Sequence, residues 1–225
     1  DGQIGISDAQ LDSVWSTVAV GGQGAGGKSM FAVRLFQNTQ LSPNTTQALW
    51  EVSAPAADTP SDTWNDLGYT YSRPAIARLP DNRWVAVFGN GYGSHKGKAA
   101  LFVVDLATGA LIRKMVVDDN TGGTAAEQAV GTGLSSPELV VNAQHQIERI
   151  YAGDTKGNMW RFDISSATVS NWTSQKLFAA GSTRPVTVKP LITEHPEGGY
   201  LVSFGTGKLS ETADKTNLDL QAFYA

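Results

Sequence analysis

Short apolar runs closed by glycine recur along the chain. Four of them are rich in β-branched or aromatic residues: STVAVGG (16–22), WVAVFGN (84–90), RIYAGD (149–154) and YLVSFGTG (200–207). Runs this short, bounded by Gly, Asn-Gly or Thr-Gly turns, are typical of β-hairpins rather than helices. The pattern therefore predicts an all-β chain whose repeat is marked by Gly21, Gly89, Gly153 and Gly205.

Further runs complete each repeat. A second run follows the first three glycine turns, at 27–35, 97–106 and 157–164, and a third follows at 48–52, 110–117 and 175–180. A proline-marked run then opens the next unit, at 72–79, 135–141 and 188–192. Proline fits the start of an edge strand, which needs no ladder donor there. We therefore predict units of four strands at about 15–53, 72–117, 135–180 and 188–225.

Repeated four-stranded units predict a β-propeller, in which each blade buries its faces against its neighbours. The run LFVVD (101–105) is apolar on both faces, as expected for a strand between two sheets. Closed rings have about four to eight blades. The three to four units here therefore predict a partial arc, with residues 1–225 forming a single segment of a larger propeller.

Composition excludes several classes of protein. The 17 basic and 21 acidic residues give a net charge of -4, and no basic run is present, which argues against electrostatic binding to nucleic acid. The chain has no cysteine, which excludes disulfides, Cys-ligated zinc and thiol catalysis within it. No apolar stretch reaches the ~18 residues of a membrane-spanning helix, so we expect no transmembrane segment in this chain.

Residues 22–29 read GQGAGGKS and match the nucleotide-binding pattern G-x-x-x-x-G-K-[ST]. In such a loop the backbone around Gly22 and Gly27 would cradle phosphates, Lys28 would neutralise charge, and Ser29 would hold magnesium. That chemistry needs a helix beginning at the lysine. Here the following run aligns with strand-like runs of the repeat, so we interpret the segment as a hairpin loop, and nucleotide binding stays as the alternative.

Two acidic clusters are candidate binding sites. Asp58, Asp62 and Asp66 lie at i, i+4 spacing, and Asp118 and Asp119 are adjacent. Either cluster could hold calcium, which takes oxygen ligands in flexible loops. Neither has an alternating D-x-D-x-D pattern, so a solvated polar face is the interpretation we favour. We predict no catalytic residues and no cofactor.

The quoted runs resemble the C-terminal region of the PilC/PilY family of type IV pilus tip-associated adhesins. The resemblance covers about residue 15 to the last residue, and it is carried by WVAVFGNGYGSHKGKAALFVVDLATGALIRKM, GLSSPELVV, RIYAGDTKGNMWRFDISS and the closing FGTGK and QAFY. It implies a modified propeller on a longer exported protein at the outer-membrane surface or pilus tip. It also implies roles in pilus assembly, opposing retraction, adhesion, twitching motility and surface sensing, with pilin and minor pilin subunits and host or abiotic surfaces as partners.

One departure from the family affects a metal site. Members often carry a calcium loop of the form D-x-[DN]-x-D-x-x-x-D before the Y-A-G-D strand. Here that place reads VNAQHQIERIYAGD, one residue shorter, with neutral Asn142, Gln144 and Gln146 and only Glu148 at the position of the last carboxylate. Losing carboxylates removes most of the attraction for a hard cation. We therefore predict no calcium at this loop.

The interpretation from sequence is a non-enzymatic scaffold that presents loops 54–68, 118–133 and 206–219 to its partners. An enzyme alternative stays open, because DLATG (105–109) also resembles propellers that bind pyrroloquinoline quinone. Those enzymes commonly use a vicinal cysteine pair and a calcium site, and the cysteine pair is absent from this chain.

Overall fold

The computed structural model describes residues 2–38, 46–117 and 132–225. Within these residues, fifteen strands form four antiparallel sheets, each a meander in which neighbours in sequence are neighbours in space. The first sheet contains β1 Ile4–Leu11, β2 Val14–Gly22, β3 Ser29–Gln37 and β4 Gln47–Ser53. The second contains β5 Ala75–Arg78, β6 Trp84–Gly89, β7 Ala99–Asp105 and β8 Leu111–Val117.

The third sheet contains β9 Glu138–Val141, β10 Ile147–Gly153, β11 Asn158–Asp163 and β12 Thr173–Ala179. The fourth contains β13 Leu191–Glu194, β14 Tyr200–Gly205 and the two-residue β15 Phe223–Tyr224. Two short 3-10 helices lie at Val169–Asn171 and Thr212–Thr216. In the described part of the chain, no helix is long and apolar enough to cross a membrane.

Strand β1 was not predicted from the sequence, because the first unit was expected to begin at residue 15. Its sequence IGISDAQL ends without glycine, and Ser7 and Asp8 interrupt the apolar pattern. Only Gly5, Ala9 and Leu11 are buried. Pairing with β2 along its whole length, from Ile4 opposite Gly21 to Leu11 opposite Val14, makes it a full strand of the first sheet.

The first strands of successive sheets lie beside one another, with β1 next to β5 and β9 next to β13. Between the second and third sheets, Arg78 and Gln146 form a parallel bridge. Pro74, Pro137 and Pro190 each directly precede a first strand. Because a first strand is hydrogen-bonded to only one strand of its own sheet, a proline at its start costs that sheet no donor.

The second sheet packs between the first and the third. Along β7, Phe102 and Val104 belong to the core shared with the first sheet, whereas Leu101 and Val103 belong to the core shared with the third. Burying one such large side chain contributes about 2 kcal/mol. The apolar run LFVVD is therefore buried from both sides, as its sequence predicts. The sheets form an open arc, which confirms the partial propeller.

Alternating connections define two ends of the arc. One end, which we call the glycine rim, carries the loops 23–28, 90–98 and 154–157 and the connection 54–74 between sheets. The other, the hairpin rim, carries the tight turns 12–13, 79–83, 106–110 and 142–146. Because every sheet is an antiparallel meander, the two sets of loops cannot meet.

Candidate functional site

The loops of the glycine rim are tied to one another. Lys28 Nζ donates a hydrogen bond of 2.6 Å to the Gly93 carbonyl and lies 5.1 Å from the centre of the Tyr69 ring. His95 Nε2 lies 2.9 Å from the Pro55 carbonyl. These contacts join the first sheet, the connection 54–74 and the second sheet into one continuous surface.

The segment Gly22–Ser29 joins two antiparallel strands on this rim. Strand β3 begins at Ser29, so no helix starts at Lys28. The Ser29 hydroxyl lies 2.7 Å from the Ser53 hydroxyl, and the Lys28 ammonium is held by Gly93. A phosphate loop needs backbone amides at a helix N-terminus. The local structure therefore supplies a hairpin loop in place of that anion site.

Loop 54–68, the first part of the connection 54–74, carries three carboxylates that were predicted as a candidate site. These carboxylates do not converge on one point. Asp58 accepts a hydrogen bond of 2.8 Å from Asn65 Nδ2 and pairs with Lys96 at 3.1 Å. The Asn65 hydrogen bond, and then the Lys96 ammonium, lower the pKa of Asp58. Asp62 Oδ1 accepts the backbone N–H of Trp64 at 2.7 Å and closes a turn.

Asp66 is buried, and its carboxylate lies 2.5 Å from Lys114 Nζ on β8. The Lys114 ammonium also donates to the Thr63 carbonyl at 3.2 Å. Lys96, His95 and Lys114, which sequence reasoning missed, thus hold this connection on the second sheet. No local sequence pattern predicts the ion pair between Lys114 and Asp66, because the two residues lie 48 positions apart in the chain.

The other predicted loops lie on the same rim or outside the described residues. Asp118 and Asp119 fall in the part of the chain that the structure does not describe. In 206–219, Asp214 Oδ2 accepts the backbone N–H groups of Ser210 and Glu211, each at 2.8 Å, and Lys208 pairs with Asp214 at 3.3 Å. Across residues 2–38, 46–117 and 132–225, no three His, Cys, Asp or Glu side chains group as a metal site.

The loop predicted to have lost calcium lies on the hairpin rim, between β9 and β10. Asn142 Oδ1 accepts the backbone N–H groups of Gln144 at 2.9 Å and Gln146 at 3.0 Å. Glu148 lies at a β-bulge in β10. The oxygen that would face a cation thus already holds two N–H donors.

Contacts from the second sheet close the same loop. Gln146 Nε2 donates to the Pro80 carbonyl at 3.2 Å and to Asn82 Oδ1 at 3.1 Å. The Arg78 guanidinium donates to the Gln144 carbonyl. A guanidinium on the loop carbonyl places a positive charge beside the position where a cation would bind.

Comparison with known proteins identifies the family. The sequence model of the PilY1 beta-propeller domain matches residues 1–225, which is the whole chain. The chain belongs to the PilY1 β-propeller domain family. This confirms the resemblance that the sequence motifs carry.

Similar proteins support the same PilY1 assignment. The type IV pilus biogenesis factor PilY1 of Pseudomonas aeruginosa strain PAK is 36% identical over 240 residues, covering 95% of this chain and 19% of that protein. A PilY1 homolog of Xylella fastidiosa is 34% identical, covering 100% of this chain and 16% of that protein. The crystal structure of the Pseudomonas aeruginosa PilY1 C-terminal domain matches with a TM-score of 0.83 and 34% identity, over 99% of this chain and 47% of that one. The chain therefore spans less than a fifth of the length of the Pseudomonas and Xylella proteins, and about half of the solved domain.

Proposed function

We propose that this chain is the propeller scaffold of a type IV pilus biogenesis factor. Its membership of the PilY1 β-propeller domain family over residues 1–225 carries the proposal. In this role it supports pilus assembly, opposes retraction, and contributes to adhesion, twitching motility and surface sensing. It acts at the pilus tip or outer-membrane surface, with pilin and minor pilin subunits and host or abiotic surfaces as partners.

The glycine rim is the contact surface that we propose for those partners. The connection 54–74 on this rim is much longer than the tight turns of the hairpin rim, and long loops on a rigid scaffold are the usual place for binding. Lys96 and Lys114 hold the connection 54–68 on the second sheet, so the surface is formed before a partner arrives. Pre-organised loops lose less conformational entropy on binding.

The proposed function needs no catalysis. Asp58, Asp62 and Asp66 each have a partner of their own, which suits carboxylates that fix loops rather than a pair that shares a proton transfer. The hydroxyl and ammonium of the nucleotide-loop pattern are likewise held by Ser53 and Gly93. We propose no cofactor.

A count of surface pili tests the role in assembly. The gene is deleted in the source bacterium, with and without the retraction motor. We expect pili to disappear on deletion and to return when retraction is also removed. Unchanged pili in both backgrounds would contradict the proposal.

A matched pair of variants tests the rim assignment. Ala57 on the glycine rim and Ala143 on the hairpin rim are both exposed. The deletion strain is complemented with the full-length gene carrying Ala57→Arg or Ala143→Arg, and export is checked by immunoblot. We expect Ala57→Arg to reduce pilus number and Ala143→Arg to restore it. The reverse result, or equal losses, would show that the glycine rim is not the contact surface.

A further inference from the structure

A cavity lies where the first strands of the sheets approach one another. Its volume is about 290 Å³, and residues of β1, β5 and β9 line it together with the segment that leads into the fourth sheet. Sites for small molecules have volumes of ~300–1,000 Å³, so the size of the cavity suits a small ligand. Arg73 and Lys189 line the cavity and are exposed, so it is open to solvent.

Two cations line this cavity from equivalent positions of the repeat. Arg73, Ser136 and Lys189 each stand immediately before the proline that leads into a first strand. The residue before a proline is restricted to extended backbone, which favours the same course of the chain at each of these positions. The backbone N–H of Arg73 donates to the Ser136 hydroxyl at 2.9 Å, which places Arg73 beside the segment that enters the third sheet.

The charges of the lining do not cancel. Two positive residues, Arg73 and Lys189, and one negative residue, Glu138, give it a net charge of +1. The Lys189 ammonium forms an ion pair with the Glu138 carboxylate. Among the described residues, the Arg73 side chain has no hydrogen-bond or ion-pair partner. In a chain whose net charge is -4, the cavity therefore holds a local excess of positive charge on one guanidinium.

We propose that this cavity binds a small anion through a single carboxylate group, with Arg73 as its principal contact. A guanidinium and a carboxylate have matching planar geometry and form two parallel hydrogen bonds. The ligand carboxylate pairs with Arg73 as the Glu138 carboxylate pairs with Lys189. Glu138 also limits the charge of the ligand, because it repels a doubly charged phosphate more strongly than a singly charged carboxylate.

Calorimetric titration of the full-length protein tests the site. The probes are sodium propionate, its neutral amide propionamide, and inorganic phosphate at the same ionic strength. We expect saturable heat with propionate, none with propionamide, and weaker binding of phosphate. The absence of saturable heat with propionate, equal heats with its amide, or tighter binding of phosphate would overturn the proposal.

A peptide distinguishes two sources of such a carboxylate, a free organic acid and a peptide C-terminus. N-acetyl-dialanine with a free C-terminus is compared with the same peptide ending in an amide. Tighter binding of the free-carboxylate peptide than of propionate identifies a peptide C-terminus as the ligand, and weaker binding identifies a free acid. Equal binding of the peptide and its amide would overturn the proposal.

Two arginine variants locate the anion. Arg73→Gln removes a positive charge from the cavity, whereas Arg83→Gln removes one from the hairpin rim, where Arg83 pairs with Asp81 at 2.6 Å. We expect Arg73→Gln to weaken propionate binding by about tenfold, as the loss of a charge-assisted contact does, and Arg83→Gln to leave it unchanged. Equal affinities of the two variants would overturn the proposal.

Glu138→Gln tests the site through a gain of affinity. It removes the carboxylate that repels the ligand and releases Lys189, so we expect propionate to bind roughly threefold more tightly. A damaged fold cannot produce that gain, so this variant decides the question even if Arg73→Gln fails to fold. Unchanged or weaker binding would overturn the proposal.

Discussion

Asp154 occupies the same position in the third sheet that Asn90 occupies in the second, directly after the glycine that closes the second strand. The buried Asp154 carboxylate only accepts hydrogen bonds. Its Oδ1 takes the backbone N–H groups of Lys156 at 2.9 Å and Asn158 at 3.0 Å. Its Oδ2 takes Asn158 Nδ2 at 2.9 Å and Trp160 Nε1 at 2.7 Å.

The buried Asn90 side chain both accepts and donates. Its Oδ1 accepts the backbone N–H groups of Ala100 at 3.0 Å and Leu134 at 2.9 Å. Its Nδ2 donates to the carbonyls of Asp66 and Lys98, each at 2.7 Å. Asn90 therefore links its own sheet to the connection before it and to the segment that enters the next sheet.

We expect both exchanges, Asp154→Asn and Asn90→Asp, to destabilise the protein. Asp154→Asn turns an NH₂ group toward Asn158 Nδ2 and Trp160 Nε1 and leaves buried donors without an acceptor. Asn90→Asp places a carboxylate against two carbonyl oxygens. We expect each change to lower the free energy of unfolding by about 3 kcal/mol, measured by urea denaturation followed by Trp fluorescence.

Asp105→Asn is the matched control for that exchange. Asp105 Oδ1 alone accepts the backbone N–H groups of Ala107 and Thr108 and the Thr108 hydroxyl, at 3.1, 2.9 and 2.8 Å. An asparagine oxygen can keep all three bonds, so we expect a loss below about 1 kcal/mol. Equal losses in Asp105→Asn, Asp154→Asn and Asn90→Asp would contradict the assignment of donors and acceptors.

We predict that calcium does not stabilise the loop 142–148. Asn142 Oδ1 already accepts two N–H groups, and the Arg78 guanidinium donates to the Gln144 carbonyl. A ligand that binds only the folded state raises stability by mass action. We therefore expect the same melting temperature in ~1 mM calcium and in excess EGTA. A calcium-dependent rise that Asn142→Ala abolishes would place a cation in this loop and refute the prediction.

The sequence predicted the features that repeat locally, and it missed those that depend on distant partners. Glycine-closed runs and proline-opened first strands mark three sheets, because close backbone approach and free strand edges restrict residue type at those positions. The repeat pattern in the sequence marked Gly21 as the end of the first run. In the structure β2 ends at Gly22, and it is Gly22 that packs against Thr70 in the segment leading into the second sheet. Their spacing suggested that Asp58 and Asp66 could bind one cation together. In the structure Asp58 forms an ion pair with Lys96 and Asp66 forms one with Lys114.

We predict that Lys28 contributes to the stability of the glycine rim and not to nucleotide binding. Its ammonium donates to the Gly93 carbonyl at 2.6 Å and lies near the Tyr69 ring. We expect Lys28→Ala to lower the free energy of unfolding by about 0.5–1 kcal/mol, the usual value for one exposed hydrogen bond with a cation–π contact. Calorimetric titration of the parent protein with Mg-ATP should give no heat of binding. Saturable binding that Lys28→Ala abolishes would contradict this prediction and support the nucleotide-binding alternative.

Acid will weaken the fold partly through Asp163. Its Oδ1 accepts the Ser165 hydroxyl at 2.7 Å and the Ser165 backbone N–H at 3.2 Å. The hydrogen bond from the Ser165 hydroxyl is the largest cause that lowers the pKa of Asp163 below the ordinary 3.8, and burial of the carboxylate opposes it. The Ser165 backbone N–H and the charges of Arg149 and Arg161 lower the pKa further. Because the folded-state pKa is depressed, the ionised carboxylate stabilises the protein above pH ~3.8, and this contribution is lost as pH falls through the folded-state pKa.

Two variants isolate that carboxylate in urea denaturation between pH ~6 and ~2.5. Asp163→Asn keeps an oxygen for Ser165 but cannot ionise, so we expect it to be less stable than the parent at pH ~6 and to approach the parent at low pH. Ser165→Ala removes the largest cause of the low pKa but keeps the carboxylate, so its stability should vary less with pH than that of the parent. If Asp163→Asn and the parent differ by the same amount at every pH, the Asp163 charge does not stabilise the fold, and its hydrogen bonds alone account for its role.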